Sequence, residues 1–337
     1  MAARRTARVV DIARAAGVSP GTVSKALNNS GALRESTRDR VYRAAAELGF
    51  SPDPARRPPA SRSFTVGLLS ADSAGRFSIP VMLGAENALA AGQLSALLAT
   101  SRNDPVREAY HVRSLVARRV DGIIVAGRTT DARPRIDVPI PVVYAFAPSS
   151  DPDDASVMPD DADGARRIVD HLLGIGRRRI VHVAGRPHQH SPRTRAEITA
   201  QAVHEAGLEL AAPTLFGEWS ESWGRRAVDQ LLQAWRPGEP LPMDAISCGS
   251  DQIARGVCDR LRELDLRVPD EIAVTGFDDW DVMALASRPP LTTIDLRLEY
   301  LGQRAAELLL DAIDGRPHHG IELTGMELVP RASTGWS

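Results

Sequence analysis

The side chains best equipped for chemistry in this chain are its charged ones, and they are unevenly spread. Residues 1–62 hold twelve basic side chains (Arg4, Arg5, Arg8, Arg14, Lys25, Arg34, Arg38, Arg40, Arg43, Arg56, Arg57 and Arg62) against five acidic ones, a net of +7. The other 275 residues carry 29 basic and 38 acidic groups, a net of −9. The whole-chain value of −2 conceals that split. A basic segment joined to an acidic remainder suits two tasks, one of them on a polyanion. Lys25 is the only lysine; the forty other basic residues are arginine, a count that codon bias accounts for.

Other chemistry finds little support. There is no HExxH, no Walker A loop and no GxSxG elbow. GIGRRR (174–179) precedes a strand instead of following one, so it is no dinucleotide fingerprint. An enzyme is therefore not expected. His188 and His190, in RPHQH, have no third ligand nearby and read as solvated; no metal or other cofactor is expected. Cys248 and Cys258 cannot form a disulfide framework and read as small buried residues. No apolar run approaches the ~18–20 residues that span a bilayer, and no apolar h-region follows the basic N-terminus. A cytoplasmic protein with no membrane partner is the expectation.

These groups need elements to position them. VVDIARAA (9–16) places Val9, Ile12, Ala13 and Ala16 on one helical face, and Gly17 ends it. Ser19 can cap the next helix, and Pro20 suits its first turn. That helix, over 20–28, buries Val23, Ala26 and Leu27. A third, over about 35–48, carries Val41, Ala45 and Leu48 on one face. Three short helices with a glycine turn between the first two form a helix-turn-helix pattern. Residues 51–63, with four prolines and three arginines, read as a linker.

From Phe64 the pattern changes. Strands are expected at 64–70, 94–99, 121–126, 141–145, 179–184, 213–216, 244–248 and 271–276. Amphipathic helices fall between them at 80–91, 105–118, 163–174, 194–206, 221–235, 251–264 and 297–314. Short apolar strands alternating with helices imply parallel sheets covered on both faces, here in two successive α/β halves. Ligands in such sheets bind beyond the carboxyl ends of the strands, which places a site in the cleft between the halves.

VVDIARAAGVSPGTVSKALNN and TRDRVYRAAAELGFSPD resemble the DNA-binding head of the lac repressor family of bacterial transcription regulators. VDGIIV, PDDADGARRIVDHLLGIGRRRIVHVAG, SCGSDQIARGV, VPDEIAVTGFDDW and PPLTTIDLRLEYLGQRAAELLLDAIDG follow in the family's order, so the resemblance covers residues 7–334. It implies an α helix-turn-helix head (1–50), a Pro/Arg-rich hinge (51–63) and a two-lobed periplasmic-binding-protein-like ligand and dimerisation domain (64–337). Lobe 1 is expected over about 64–160 and 296–320, lobe 2 over about 161–290 and 321–332, with crossovers near 158–163, 288–296 and 318–324.

By match to the family motif, Pro20, Gly21 and Lys25 stand at base-reading positions, and Ser19, Thr22, Ser24 and Asn28 at phosphate or backbone contacts. The chemistry fits: short hydroxyls and amides at a helix start hydrogen-bond phosphate oxygens, and lysine reaches guanine O6/N7. The rival for Lys25 is a phosphate contact or a solvated charge; for Ser19, Thr22 and Ser24 it is capping or packing. The linker departs from the family's Asn-x-x-Ala-Arg-x-Leu hinge. Pro58 and Pro59 stand where the helix and its minor-groove leucine should be. Arg56 and Arg57 then lie in the minor groove or on phosphates, or the linker stays flexible and couples ligand to DNA more weakly.

For the ligand cleft the resemblance implies Arg195 as the arginine holding ligand hydroxyls or carboxylates and Asp278 as the carboxylate taking two sugar hydroxyls. Asp251, a polar group at a helix start, stands beside the cleft, with capping as its rival. Trp219 and Phe77 are aromatics for a sugar's apolar face, with lobe packing as the rival for Phe77. Phe146 stands where an acid is common, and in RAEIT the residues after Arg195 stand where a Gly-aromatic pair is usual. The expected partners are a pseudo-palindromic duplex DNA, a small effector (a sugar or sugar derivative) and a second copy of the chain, since no leucine heptads follow the last strand to build a tetramer. The alternatives are a sugar-binding module without DNA binding, or corepression or activation by a nucleoside-type effector.

Overall fold

The computed structural model describes residues 9–27, 33–48, 65–72, 75–91 and 94–335. The chain divides into two compact units, Met1–Ser61 and Arg62–Ser337.

The first unit is built from α1 (Val9–Ala16), α2 (Pro20–Leu27) and α3 (Glu35–Glu47). Ile12, Ala13, Ala16, Val23, Ala26, Val41, Ala44 and Ala45 make its core. Those side chains are small, so three short helices approach closely. Gly17 sits at φ +62°, where an L side chain is strained, and turns the chain from α1 toward α2. The Ser19 hydroxyl accepts a hydrogen bond from Thr22 N–H at 3.1 Å, capping α2. The Tyr42 hydroxyl donates to Ala26 O at 3.0 Å and ties α3 to α2. Leu48, expected in the core, is 41% exposed. It falls one residue past the end of α3, and Ala44 takes its place in the packing.

The second unit holds two parallel sheets. The first has strand order β11-β5-β4-β3-β1-β2. Its members are β1 (Thr65–Ser70), β2 (Ser95–Thr100), β3 (Gly122–Ala126), β4 (Val142–Ala145), β5 (Ala155–Pro159) and β11 (Gly320–Thr324). The second has order β7-β6-β8-β9, from β6 (Ile180–Ala184), β7 (Leu215–Phe216), β8 (Ala245–Cys248) and β9 (Ala273–Thr275). Alternate residues of the first sheet enter different cores, Leu68 and Ile124 one, Leu69, Ile123, Val125 and Tyr144 the other. Both faces are therefore covered, which is why the strands read as unbroken apolar runs.

The helices that cover the sheets are α4 (Ser78–Ala91), α5 (Pro105–Ala117), α6 (Asp161–Gly174), α7 (His190–Glu205), α8 (Glu221–Leu231), α9 (Asp251–Glu263), the short α10 (Asp281–Ala284) and α11 (Leu298–Ile313). Helix α7 begins four residues before the expected 194, so Arg195 lies in its second turn. Two helix pairs are locked by reciprocal glycines. A Cβ on Gly84 (α4) would lie 1.8 Å from Glu299 O, and one on Gly302 (α11) 1.9 Å from Val81 O. A Cβ on Gly224 (α8) would lie 2.1 Å from Ile253 O, and one on Gly256 (α9) 2.0 Å from Glu221 O. Each lobe thus uses the same device to bring two helix backbones together.

Three chain segments cross where the lobes meet. Chain passes from β5 to α6 at Asp160, whose N–H donates to Thr324 O at 3.0 Å. It returns through β10 (Thr293–Asp295) and crosses again between β11 and β12 (Glu327–Val329); β10 and β12 pair antiparallel. Two expectations change here. β5 was not expected as a strand, because ASVMP lies in a polar, proline-flanked stretch; it is buried throughout, pairing with β4 on one side and β11 on the other. Residues 321–324, expected in the second lobe, pair with β5 in the first sheet through β11. With Ile321 and Leu323 each 55% exposed, this edge strand has too little buried apolar surface to reveal its sheet from sequence.

Candidate functional site

The head presents the polar start of α2 to solvent. Ser19, Pro20, Gly21 and Lys25 are exposed, and Thr22 is half-buried, its hydroxyl 2.9 Å from that of Ser19. Gly21 and Lys25, four residues apart, share one helical side. Ser19 and Thr22 spend part of their hydrogen-bonding capacity on the cap, so capping and surface exposure coexist. Ser24 lies within α2. Asn28, Arg56 and Arg57 lie outside the described residues.

In the second unit the strand order locates a site without reference to side chains. Both sheets run 2-1-3-4 in chain order, so their topological switch points lie at the carboxyl ends of β1 and β3 and of β6 and β8. Arg76 and Phe77 follow β1; Ser250 and Asp251 follow β8; Arg195 enters from α7, and Asp278 from the turn after β9.

These side chains converge. The Arg195 guanidinium is 4% exposed. Its Nε and Nη2 both donate to Asp161 Oδ1 at 2.7 Å, and Nη1 donates to Gly249 O at 2.7 Å and lies 3.8 Å from Asp278 Oδ1. Its carbon sits 3.5 Å from the centroid of the Phe277 ring. Arg195 is thus a buried, fully engaged buttress behind Asp278. Asp278 itself is ion-paired with Arg76 from the first lobe. The Arg76 guanidinium carbon lies 4.6 Å from the Phe77 centroid and 4.4 Å from the Trp280 centroid. Phe77 stacks on Phe146 at 4.8 Å. Asp278 (φ +106°), Asp279 (φ +46°) and Phe146 (φ +71°) all hold left-handed backbone, strain of the kind that gathers at functional sites.

Asp251 is fully buried, and both of its carboxylate oxygens are engaged by the protein. Its carboxylate accepts from the Thr293 hydroxyl at 2.5 Å and from Trp280 N–H at 2.7 Å, so it fastens α9 to the Asp278 turn and to β10. The capping reading is what its geometry supports. Burial, and then the charge of Asp278, push its pKa up to about 8. Burial also raises Asp278, against the lowering influence of Arg76 and Arg195. Trp219 stands apart from this cluster: its Nε1 donates to Gln189 at 2.6 Å and its ring covers Gly185 at the exit of β6. Two further contacts join the lobes, the paired hydroxyls of Thr130 and Ser191, and His190 N–H donating to Asp131 at 2.7 Å. His188 and His190 are exposed, and no metal-binding cluster of His, Cys, Asp or Glu occurs among the described residues. Cys248 and Cys258 are buried free thiols, the latter pushed up to about 12 by burial.

Arg76, Asp161 and Trp280 join the site without having been expected from the sequence. Arg76 stands beside Phe77 just past a strand end at a switch point, and Trp280 closes GFDDW; each position was a usable signal. Asp161 gave none, because PDDAD offers several equivalent caps and only the fold chooses among them.

A helix-turn-helix head with an exposed polar helix start, joined to a two-lobed α/β unit with a polar cleft, defines a DNA-binding regulator with a ligand-responsive domain. Residues 9–53 match the family described as bacterial regulatory proteins, lacI family, and residues 169–334 match a periplasmic binding protein-like domain. The chain is 27% identical over 318 residues to the HTH-type transcriptional repressor PurR of Aliivibrio salmonicida (93% of this chain, 94% of the relative). It is 28% identical over 336 residues to the repressor CytR of Escherichia coli strain K12 (97% and 96%), and 29% identical over 335 residues to the regulator CelR of Thermobifida fusca (96% of each). Among solved structures, a CelR–cellobiose complex matches with TM-score 0.64 at 26% identity (97% of this chain, 99% of that one). The lac repressor dimer bound to operator and the anti-inducer ONPF matches with TM-score 0.67 at 26% identity (98% and 99%). The chain thus carries a lacI-family helix-turn-helix head and a periplasmic-binding-protein-like domain, and it is an effector-controlled, DNA-binding transcriptional regulator. Among the described residues, no helix is long and apolar enough to cross a membrane.

Proposed function

We propose that this chain is a cytoplasmic, non-enzymatic repressor that binds a pseudo-palindromic operator as a homodimer and releases it when a sugar or sugar derivative binds between the lobes. The observation that carries the reading is the convergence of Phe77, Arg195 and Asp278 where the two switch points face one another, in a chain whose other unit exposes the polar start of α2. Asp278 supplies the acceptor for ligand hydroxyls. Arg195 holds that carboxylate in place, and Phe77 and Trp219 offer aromatic faces to the apolar side of a ring. Asp251 positions the Asp278 turn. On DNA, Lys25 reaches a base edge beside Pro20 and Gly21, while Ser19, Thr22, Ser24, Asn28 and the linker arginines Arg56 and Arg57 engage the backbone. The similar lac repressor structure is bound to operator and the similar CelR structure to cellobiose, which makes cellobiose the first compound to try here.

A ligand can shift operator affinity only if it prefers one lobe arrangement. Exposed Ile79 and Leu83, one turn apart on α4, offer apolar surface for the second copy. The test is a thermal-shift screen of the full chain against sugars, cellobiose included, and nucleosides, repeated on Asp278→Ala. At least one compound should raise the midpoint of the native chain and lose that effect in the variant. Hits that persist unchanged in Asp278→Ala overturn the pocket assignment.

A further inference from the structure

We infer that Arg76 is a built-in competitor of the effector: a side chain of the first lobe that occupies Asp278 of the second and holds the cleft shut until a ligand displaces it. This deepens the effector reading of the cleft and rests on it for the word effector, but not for the latch.

Arg76 leaves the chain at the carboxyl end of β1, the switch point of the first sheet, and its guanidinium ends on Asp278, at the second sheet's side of the cleft. The side chains of the pair are 18% and 6% exposed, so solvent screens them weakly. The guanidinium also lies near the faces of Phe77, from its own lobe, and Trp280, from the other. A planar cation near two aromatic faces and on a carboxylate satisfies the features assigned to a ligand here: an apolar wall and a bidentate-capable acceptor. Arg76 therefore stands where the ligand's polar edge belongs.

Two orphaned atoms support occupancy over mere packing. Arg76 Nε is buried with no hydrogen-bond partner, and so is Asp161 Oδ2, behind Arg195. A purely structural arginine in such a place is expected to have its donors satisfied. One that alternates between Asp278 and a ligand can leave a donor unused in the first state. The neighbouring charges are otherwise committed. Arg195 is held by Asp161 and Gly249, and Asp251 by Thr293 and Trp280, so Arg76 is the charged member of the cluster that comes from the opposite lobe.

The consequence is a threshold. A chain that shuts its own cleft is open to ligand only for a fraction of the time, and apparent affinity falls by that fraction. Effectors able to replace the guanidinium on Asp278, or to engage the freed Arg76 with an acceptor of their own, are favoured over those that can do neither.

The latch can be read without any effector, from the distance between the lobes. Arg107, in the first turn of α5, and Ser222, in the first turn of α8, are exposed and sit at the cleft-side ends of their helices. Cys248 and Cys258 are buried, so spin labels on the full chain carrying Arg107→Cys and Ser222→Cys report only these sites. With Arg76 present, the distance distribution should be short and narrow. Arg76→Met, which keeps the stem and loses the fork, should lengthen and broaden it. Asp278→Asn breaks the pair from the other side and should do the same, which covers the case of one variant failing to fold. In Arg76→Ala, millimolar n-propylguanidinium should restore the short distance while n-propylammonium does not. Distances unchanged in both Arg76→Met and Asp278→Asn overturn the latch, as does rescue by neither amine nor guanidinium. If the labels respond as expected but no hit in the ligand screen depends on Asp278, the latch stands and the effector reading falls.

Discussion

Lys25 and Asp278 carry most of the functional weight at the residue scale. Lys25 is exposed on α2, one turn after Gly21, and is the lone lysine of the chain. If it reads a base, Lys25→Ala should cost roughly 1–3 kcal/mol at one operator position and relax discrimination there. A uniform weakening across sequences, measured on an operator-variant panel, assigns it to phosphate instead. Asp251 allows a pH test. Its carboxyl sits at about 8 in the folded chain against 3.8 for the free group. The folded state therefore holds a proton that the unfolded chain has lost, and stability falls as pH rises from about 4 toward 8. His182, pushed down to about 4 by burial, acts the opposite way below its ordinary value of 6.5. Above 6.5 the histidine no longer contributes, which leaves the two raised neighbours, Asp251 and Asp278. Asp251→Asn keeps an acceptor for Trp280 and should flatten the decline in that range, measured by urea midpoints; an unchanged slope removes Asp251 as its cause. Arg195 and Asp278 were legible because they sit in motifs with fixed order. Arg76 was not, because its role depends on a partner 202 residues away, and no local spacing encodes that.

Elements were most legible where periodicity or chemistry was strong. Helix α2 was announced by Ser19, Pro20 and the stripe through Val23 and Ala26, and the buried parallel strands by their apolar runs. β5 and β11 were not, since one is short and proline-flanked and the other is a half-exposed edge. The reciprocal glycines of α4–α11 and α8–α9 also left no mark, because a helical glycine reads as a weak helix former until the facing helix is in place. They yield a clear expectation. Gly84→Ala drives a methyl against Glu299 O and should destabilise the unit by about 1–3 kcal/mol through overpacking. Gly174→Ala, with nothing within 4 Å of the added methyl, should not. Equal midpoints for the two variants in chemical denaturation remove close approach as the reason for Gly84.

At the scale of the molecule, the charge split separates a basic head and linker from an acidic ligand unit, and the fold explains the division: one unit exposes a helix start, the other faces its strand ends into a cleft. An inverted-repeat operator requires two heads. Ile79→Glu with Leu83→Glu should therefore shift the chain from dimer to monomer in sedimentation while leaving its secondary structure intact. A dimer that survives both changes places the interface elsewhere. As proposed, this chain binds a specific duplex largely through phosphate neutralisation by its head. Selection of the full chain on a randomised duplex library, followed by titration of the enriched duplex between about 50 and 200 mM salt, tests it directly. The expected result is an inverted repeat with half-sites about one helical turn apart, or a multiple of it, and an affinity that falls steeply and log-linearly with salt. A folded chain that enriches no sequence and retains no duplex at about 50 mM salt contradicts it.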